Sequence, residues 1–272
     1  MKVKALARFL YASIPGLAAV RFAGKDLAAP YFSKPEFHGV SQLSIERGLI
    51  VDIGANRGQS IEAFKRLAPE SRIVAFEPEP RCAIRLRSRH RNNSAITIHG
   101  CALGSEAGVL TFFIPKYGYW DCDGMSATSY EAATEWLRDS GRMLFFDKGK
   151  LSVKQHPVEC KMLDSFGLAP CLIKLHAQGA EFEILQGSRQ TIQQHNPALM
   201  CAFPTAEVNR LLSDWGYRPH TYSKPGFKPG MAERPLTFTW YLTANHQRRA
   251  LSQRGDTSSF QTGDRDEPSR PD

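Results

Sequence analysis

The chain has 272 residues, 42% of them apolar and 23% charged, with six cysteines and a formal net charge of +8. That is the composition of a soluble globular protein, and the length suits one domain with decorations. Cys82, Cys101, Cys122, Cys160, Cys171 and Cys201 are scattered without a C-x-x-C pair. A disulfide framework or zinc cluster is therefore not expected, and a reducing compartment, the cytoplasm, fits better.

Residues 1–48 read as a helical extension. In M-K-V-K-A-L-A-R-F-L-Y-A-S-I-P-G-L-A-A-V, Arg8 interrupts the apolar stretch and Pro15 breaks it. It is too short for a transmembrane helix, and no small-x-small cleavage site marks it as a signal peptide. It fits an amphipathic helix that packs on the domain by default, with peripheral contact to a membrane surface as the alternative.

From residue 49 short apolar strands alternate with helical patterns. Strands are expected at 49–53, 72–76, 95–99, 171–175 and 198–203, with a further extended segment at 109–114. Helices are expected at 60–67, 81–91, 180–194 (broken at Gly187) and 205–215. Two late strands, near 217–222 and 236–242, have the β-branched and aromatic content of a sheet edge. The pattern predicts an α/β fold over residues 49–244, a Rossmann-like doubly wound, mostly parallel sheet with a C-terminal antiparallel strand. An aromatic and acidic insertion at about 115–150 has the size of a lid or substrate wall. Residues 245–272 are polar and mixed in charge, cannot offset their ordering entropy, and read as a disordered tail.

The arginines of R-C-A-I-R-L-R-S-R-H-R, residues 81–91, fall on more than one side of a helix. A solvated outer helix accounts for them; a patch for an anionic substrate or nucleic acid is the alternative.

The most informative segment is L-I-V-D-I-G-A-N-R-G-Q-S, residues 49–60. A buried strand runs through Asp52 into Gly54 and Gly58, and a helix follows. Glycine there lets the backbone turn sharply and approach a ligand, while the helix start offers free N–H groups. A dinucleotide site would want G-x-G-x-x-G, but Gly54-Ala55-Asn56-Arg57-Gly58 lacks the second and third glycines in register. Glu77 ends the next strand in I-V-A-F-E-P-E-P, one helix and one strand beyond Gly54. An acid there can accept hydrogen bonds from both hydroxyls of a ribose.

The D-x-G-x-N-x-G pattern resembles the first motif of S-adenosylmethionine-dependent methyltransferases. The segments V-D-I-G-A-N-R-G, A-F-E-P-E-P, C-A-L-G-S-E-A-G, K-M-L-D-S-F and L-I-K-L-H-A-Q-G-A-E-F-E-I-L-Q-G resemble, in order and spacing, the blocks of the FkbM family. The resemblance covers about residues 49–203 and implies a class I methyltransferase fold with S-adenosyl-L-methionine as cofactor. It implies that Asp52, Gly54, Ala55, Asn56 and Gly58 form the cofactor loop and that Glu77 takes the ribose. Ala102 and Leu103 would lie near the adenine, and Ser126 would face cofactor or substrate from the insertion. Asp164 matches the aspartate of the family's T-L-D block.

Two blocks depart from the family. Its fourth-strand block usually reads I-K-I-D-V-E-G, but here His176 stands for the Asp and Gln178 for the Glu. The next strand ends Cys201-Ala202-Phe203, without the common acid, while Gly179, Glu181 and Leu185 keep the family's spacing. Magnesium needs oxygen ligands, so no metal is expected. His176 becomes the candidate general base, since a pKa near about 6.5 suits that role; Asp164 and Glu181 are alternatives. The expected reaction is O-methylation of a small-molecule hydroxyl, of sugar or natural-product type. A cofactor-binding homologue with weakened or lost catalysis is the second reading. A nucleic-acid methyltransferase is the third, but the N/D-P-P-Y/F motif is missing after the fourth strand, so no nucleic-acid partner is expected.

Overall fold

The computed structural model describes residues 2–43, 45, 47–122, 124–139, 142–246 and 248. Two helices open the chain, α1 (Lys2–Ser13) and α2 (Leu17–Ala28), followed by a 3₁₀ turn over Pro35–Gln42. Then comes β1 (Leu49–Ile53), buried along its whole length, as a strand covered on both faces must be. Gly58, with φ 87°, ends the turn after β1 and starts α3 (Gln59–Leu67), which lays Ile61 and Phe64 on the sheet. After β2 (Arg72–Phe76), Pro80 in the first turn and a Glu79 carboxylate accepting from the Cys82 N–H at 3.0 Å start α4 (Pro80–His90). The chain continues through β3 (Ile96–His99), β4 (Ala102–Leu103), β5 (Gly108–Tyr117), β6 (Trp120–Asp121), α5 (Tyr130–Arg138) and β7 (Leu151–Lys161). It returns through β8 (Pro170–Leu175), α6 (Glu181–Gln186), α7 (Arg189–His195), β9 (Ala198–Ala202), α8 (Ala206–Asp214), β10 (Arg218–Ser223), β11 (Gly226–Pro229) and β12 (Phe238–Leu242).

Eight strands form one sheet in the order β11-β10-β12-β9-β8-β1-β2-β3. From β3 to β9 all neighbours are parallel; β12 runs antiparallel between β9 and β10, and β11 antiparallel at the edge. The fold is therefore doubly wound, mostly parallel, with an antiparallel C-terminal strand. The edge strand β11 went unforeseen because G-F-K-P offers no apolar alternation. Winding reverses between β1 and β8, which opens a crevice at their carboxyl ends. One core lies around Phe64, Leu86 and Trp240, the other, on the second face, around Val51, Leu185 and Tyr241.

A second sheet, β4-β7-β5-β6, stands beside this crevice. β5 and β7 pair from Gly108↔Cys160 to Tyr117↔Leu151, so the insertion spans residues 102–161 and not 115–150. β7 escaped the sequence reading because only Val158 and Cys160 in it are buried, too few to set a period of two. α1 and α2 pack on the outside of this sheet around Tyr117, Trp120 and Leu137. Asp26 of α2 reaches past it to Arg57 (2.5 Å) in the loop after β1 and to Arg89 (3.2 Å) in α4. The Arg57 guanidinium also lies 4.8 Å over the Phe22 ring. Glu36 accepts from the Thr237 N–H (2.8 Å), and its carbonyl accepts from the Trp240 indole (3.1 Å).

The arginines of residues 81–91 are partly bound within the fold. Arg87 donates to the Ile98 carbonyl, and Arg81 pairs with Glu79 and Asp121. Within the segment read as a tail, 245–246 and 248 are helical, and the His246 ring stacks on Tyr217; the remainder lies outside the described residues.

Candidate active site

The crevice is built on a glycine. Gly54 has φ 73°, and a Cβ there would sit 2.0 Å from the His176 carbonyl oxygen. The loops after β1 and β8 thus touch backbone to backbone, which only glycine permits. Beneath the turn, Lys174 and Asp52 face each other in the β1–β8 register. Both are buried, with Nζ 2.8 Å from Oδ1. Lys174 also donates to the carbonyls of Gly54 (2.7 Å) and Ile53 (3.1 Å), and Asp52 accepts from the Ser60 hydroxyl (2.5 Å).

This geometry corrects the motif reading. Of the five expected loop residues, Gly54 and Asn56 line the cleft, and the other three do not. Asp52 supports the turn from the core. Ala55 turns its N–H to the Phe76 carbonyl (3.2 Å), and Gly58 packs where a Cβ would lie 2.7 Å from Leu86.

Glu77 lines the cleft at the end of β2 and is 6% exposed. Its Oε2 accepts from the Asn56 N–H (2.6 Å) and its Oε1 from the Glu79 N–H (2.9 Å). Burial pushes its pKa up to about 7 although these two bonds act in the opposite direction. Each carboxylate oxygen retains a second acceptor position. Phe76, Cys101, Ala102 and Leu103 form one wall of the cleft, and Leu110 and Phe112 of β5 another.

The loop after β6 roofs it with Ser126, Ala127 and Thr128. Gly124 (φ 80°) sits so close to Asn56 that a Cβ would lie 2.3 Å from its amide nitrogen. The Gly124 carbonyl accepts from the Gln178 side chain at 3.3 Å. Ala102, Leu103 and Ser126 therefore stand on the same cleft as Glu77. A buried carboxylate with two open acceptor positions, between a tight glycine turn and apolar walls, fits a nucleoside with vicinal hydroxyls such as S-adenosylmethionine.

The expected bases are placed differently. Asp164 is a correction: it lies outside the cleft and accepts from the N–H groups of Gln190 (3.1 Å) and Thr191 (2.8 Å), capping α7. Asp164→Ala is expected to cost about 1 kcal/mol, read as a lower melting temperature. Cofactor affinity by calorimetry should stay unchanged. The Glu181 carboxylate is held by the N–H groups of Ala177 (2.7 Å) and Gly179 (2.9 Å), bracing the loop after β8.

His176 does line the cleft, its ring edge-on to Phe203 (6.3 Å) and Phe238 (5.8 Å). Burial, with Lys174 and Lys34 adding, pushes its pKa down to about 3, so the ring is neutral at working pH. Sequence reasoning missed Lys174. Its one signal was a charge inside C-L-I-K-L, a run otherwise read as a buried strand.

Residues 52–219 match the family model described as the methyltransferase FkbM domain. The chain is 29% identical over 165 residues to the 2-O-methyltransferase NoeI of Sinorhizobium fredii, covering 56% of this chain and 62% of that protein. It is 30% identical over 147 residues to Methyltransferase 1 of Beauveria bassiana, covering 51% and 57%. The chain thus spans about three fifths of the length of these curated relatives. Among solved structures, a methyltransferase FkbM from Methylobacillus flagellatus aligns over 83% of this chain and 53% of its own, with TM-score 0.45 and 18% identity.

Proposed function

The chain belongs to the methyltransferase FkbM family, and on that premise we propose that it transfers a methyl group from S-adenosylmethionine to a hydroxyl of a small molecule of sugar or natural-product type. The observation that carries the cofactor half is Glu77, buried on the cleft with both oxygens still able to accept. When bound, the cofactor supplies a methyl group activated by its sulfonium. Glu77 would hold the ribose hydroxyls, Ala102 and Leu103 would flank the base, and Gly54 and Asn56 would border the methionine part.

On the acceptor side, the neutral His176 ring can accept a hydrogen bond from the hydroxyl and take its proton as the new C–O bond forms. An oxygen that is gaining a carbon releases its proton far more readily than a free alcohol, so a weak base suffices at that moment. Phe203 stands 61% exposed beside His176 on a left-handed backbone (φ 46°), an arrangement rare for a bulky residue and typical of working sites. Its ring offers a flat apolar face to a sugar ring. That the relative from Sinorhizobium fredii is a 2-O-methyltransferase supports a hydroxyl acceptor.

The test is turnover on a panel of glycosides and polyketide alcohols, followed as S-adenosylhomocysteine formation. His176→Leu should lower kcat by about a hundredfold while cofactor affinity stays within twofold. Full turnover in that variant would remove His176 from the chemistry. A second reading, binding without transfer, draws support from the low pKa of His176 and from the hydrogen bonds that hold the Glu181 carboxylate in the loop after β8. Tight cofactor binding with no product from any acceptor would select it.

A further inference from the structure

We infer that α1 and α2 dock this protein on an anionic lipid surface, a reading independent of the transfer reaction. α1 is turned opposite to a usual surface helix. It meets the protein through the buried Ala5 and Ala12 and the half-buried Phe9 and Tyr11. Outward it presents Val3, Leu6 and Leu10, spaced three and four apart so that they share one face, and Ile14 just beyond the helix continues the spacing. Their exposures run from 38% to 80%. α2 repeats the arrangement: Ala18 is buried, while Val20 and Leu27 are 72% and 77% exposed. Tyr31 and Phe32, just beyond it, are 74% and 75% exposed. Exposed apolar side chains gathered on two consecutive helices mark an interaction surface.

Charge selects the occupant. Lys4 and Lys25 are exposed, Arg8 and Arg21 lie half-buried over the rings of Trp136 and Tyr11, and the one acid of the two helices, Asp26, is turned inward onto Arg57 and Arg89. A second copy of the chain would bring the same positive charges face to face, whereas an anionic bilayer complements them. Each helix has 12 residues, about 18 Å, and the pair is bent by 118°. Among the described residues no single helix is long and apolar enough to cross a membrane. Two short helices with apolar outer faces, each carrying an exposed lysine, suit the interface plane, with the leucines at the acyl boundary.

The test is co-sedimentation of the full chain with phosphatidylcholine vesicles, with and without phosphatidylserine. Binding is expected to the serine-containing vesicles, to weaken with salt, and to fall at least about tenfold in Leu6→Glu/Leu10→Glu/Leu27→Glu. These side chains are exposed, so the variant's melting temperature and cofactor affinity should match those of the unaltered chain. Three results would overturn the inference: no binding by the folded chain, equal binding by the triple variant, or a solution dimer that the same substitutions dissolve while vesicles are ignored.

Discussion

Glu77→Ala is expected to weaken S-adenosylhomocysteine binding by about a hundredfold, since two charge-assisted hydrogen bonds together contribute about 3 kcal/mol. Titration calorimetry measures this directly. An affinity within threefold of the unaltered chain would mean that the ligand does not rest on Glu77. The pH dependence sharpens the test. Burial raises the free carboxyl to about 7, and hydroxyl donors bind the ionised form. Affinity should therefore rise by about tenfold from pH 6 to pH 8, and Glu77→Gln, already weakened, should lose that slope. Stability runs the other way. With the folded-state pKa above the unfolded 4.5, the ligand-free protein holds this proton more tightly than the unfolded chain. This contribution is present in full below 4.5 and lost as pH rises through about 7.

Lys174→Met is expected to be the most destabilising single change. It leaves the Asp52 carboxylate buried with the Ser60 hydroxyl as its remaining polar partner, and it withdraws the donor from the Gly54 carbonyl. Breaking a buried pair from one side costs about 3–5 kcal/mol, a fall in melting temperature of roughly 10 °C for a domain of this size. Removing both charges in Asp52→Asn/Lys174→Met should recover much of the loss. If the single and double variants melt alike, the pair is not what holds the turn.

The parallel half of the sheet was legible because its strands are buried on both faces and its helices carry apolar stripes. Glu77 and Gly54 were legible because a βαβ unit fixes their spacing. What stayed hidden depended on contacts between distant segments. Asp164 looks like an active-site acid in sequence, and only the folded chain shows α7 starting against its carboxylate. Lys174 acquires its meaning from Asp52 on the neighbouring strand, 122 positions earlier. His176 was read at its solution pKa, which burial beside Lys174 and Lys34 removes. β7 and β11 were missed because sheets exposed on one side or at an edge need little apolar patterning.

The Asp26–Arg57 pair makes the helices at the front of the chain something other than a detachable appendage. Arg57 belongs to the glycine turn, and its side chain is 8% exposed. Deleting α2 would take both Asp26 and the Phe22 ring from that guanidinium and uncover the turn, and Glu36 with its Trp240 contact ties in the stretch just beyond. Similarity to the family starts at residue 52, but the smallest piece able to hold its cofactor loop in shape begins upstream of it. Grafting another relative's front end onto residue 49 is therefore expected to lower the melting temperature unless it supplies a carboxylate to Arg57 and Arg89 in place of Asp26. The module boundary drawn by resemblance and the one drawn by energy differ by at least one helix.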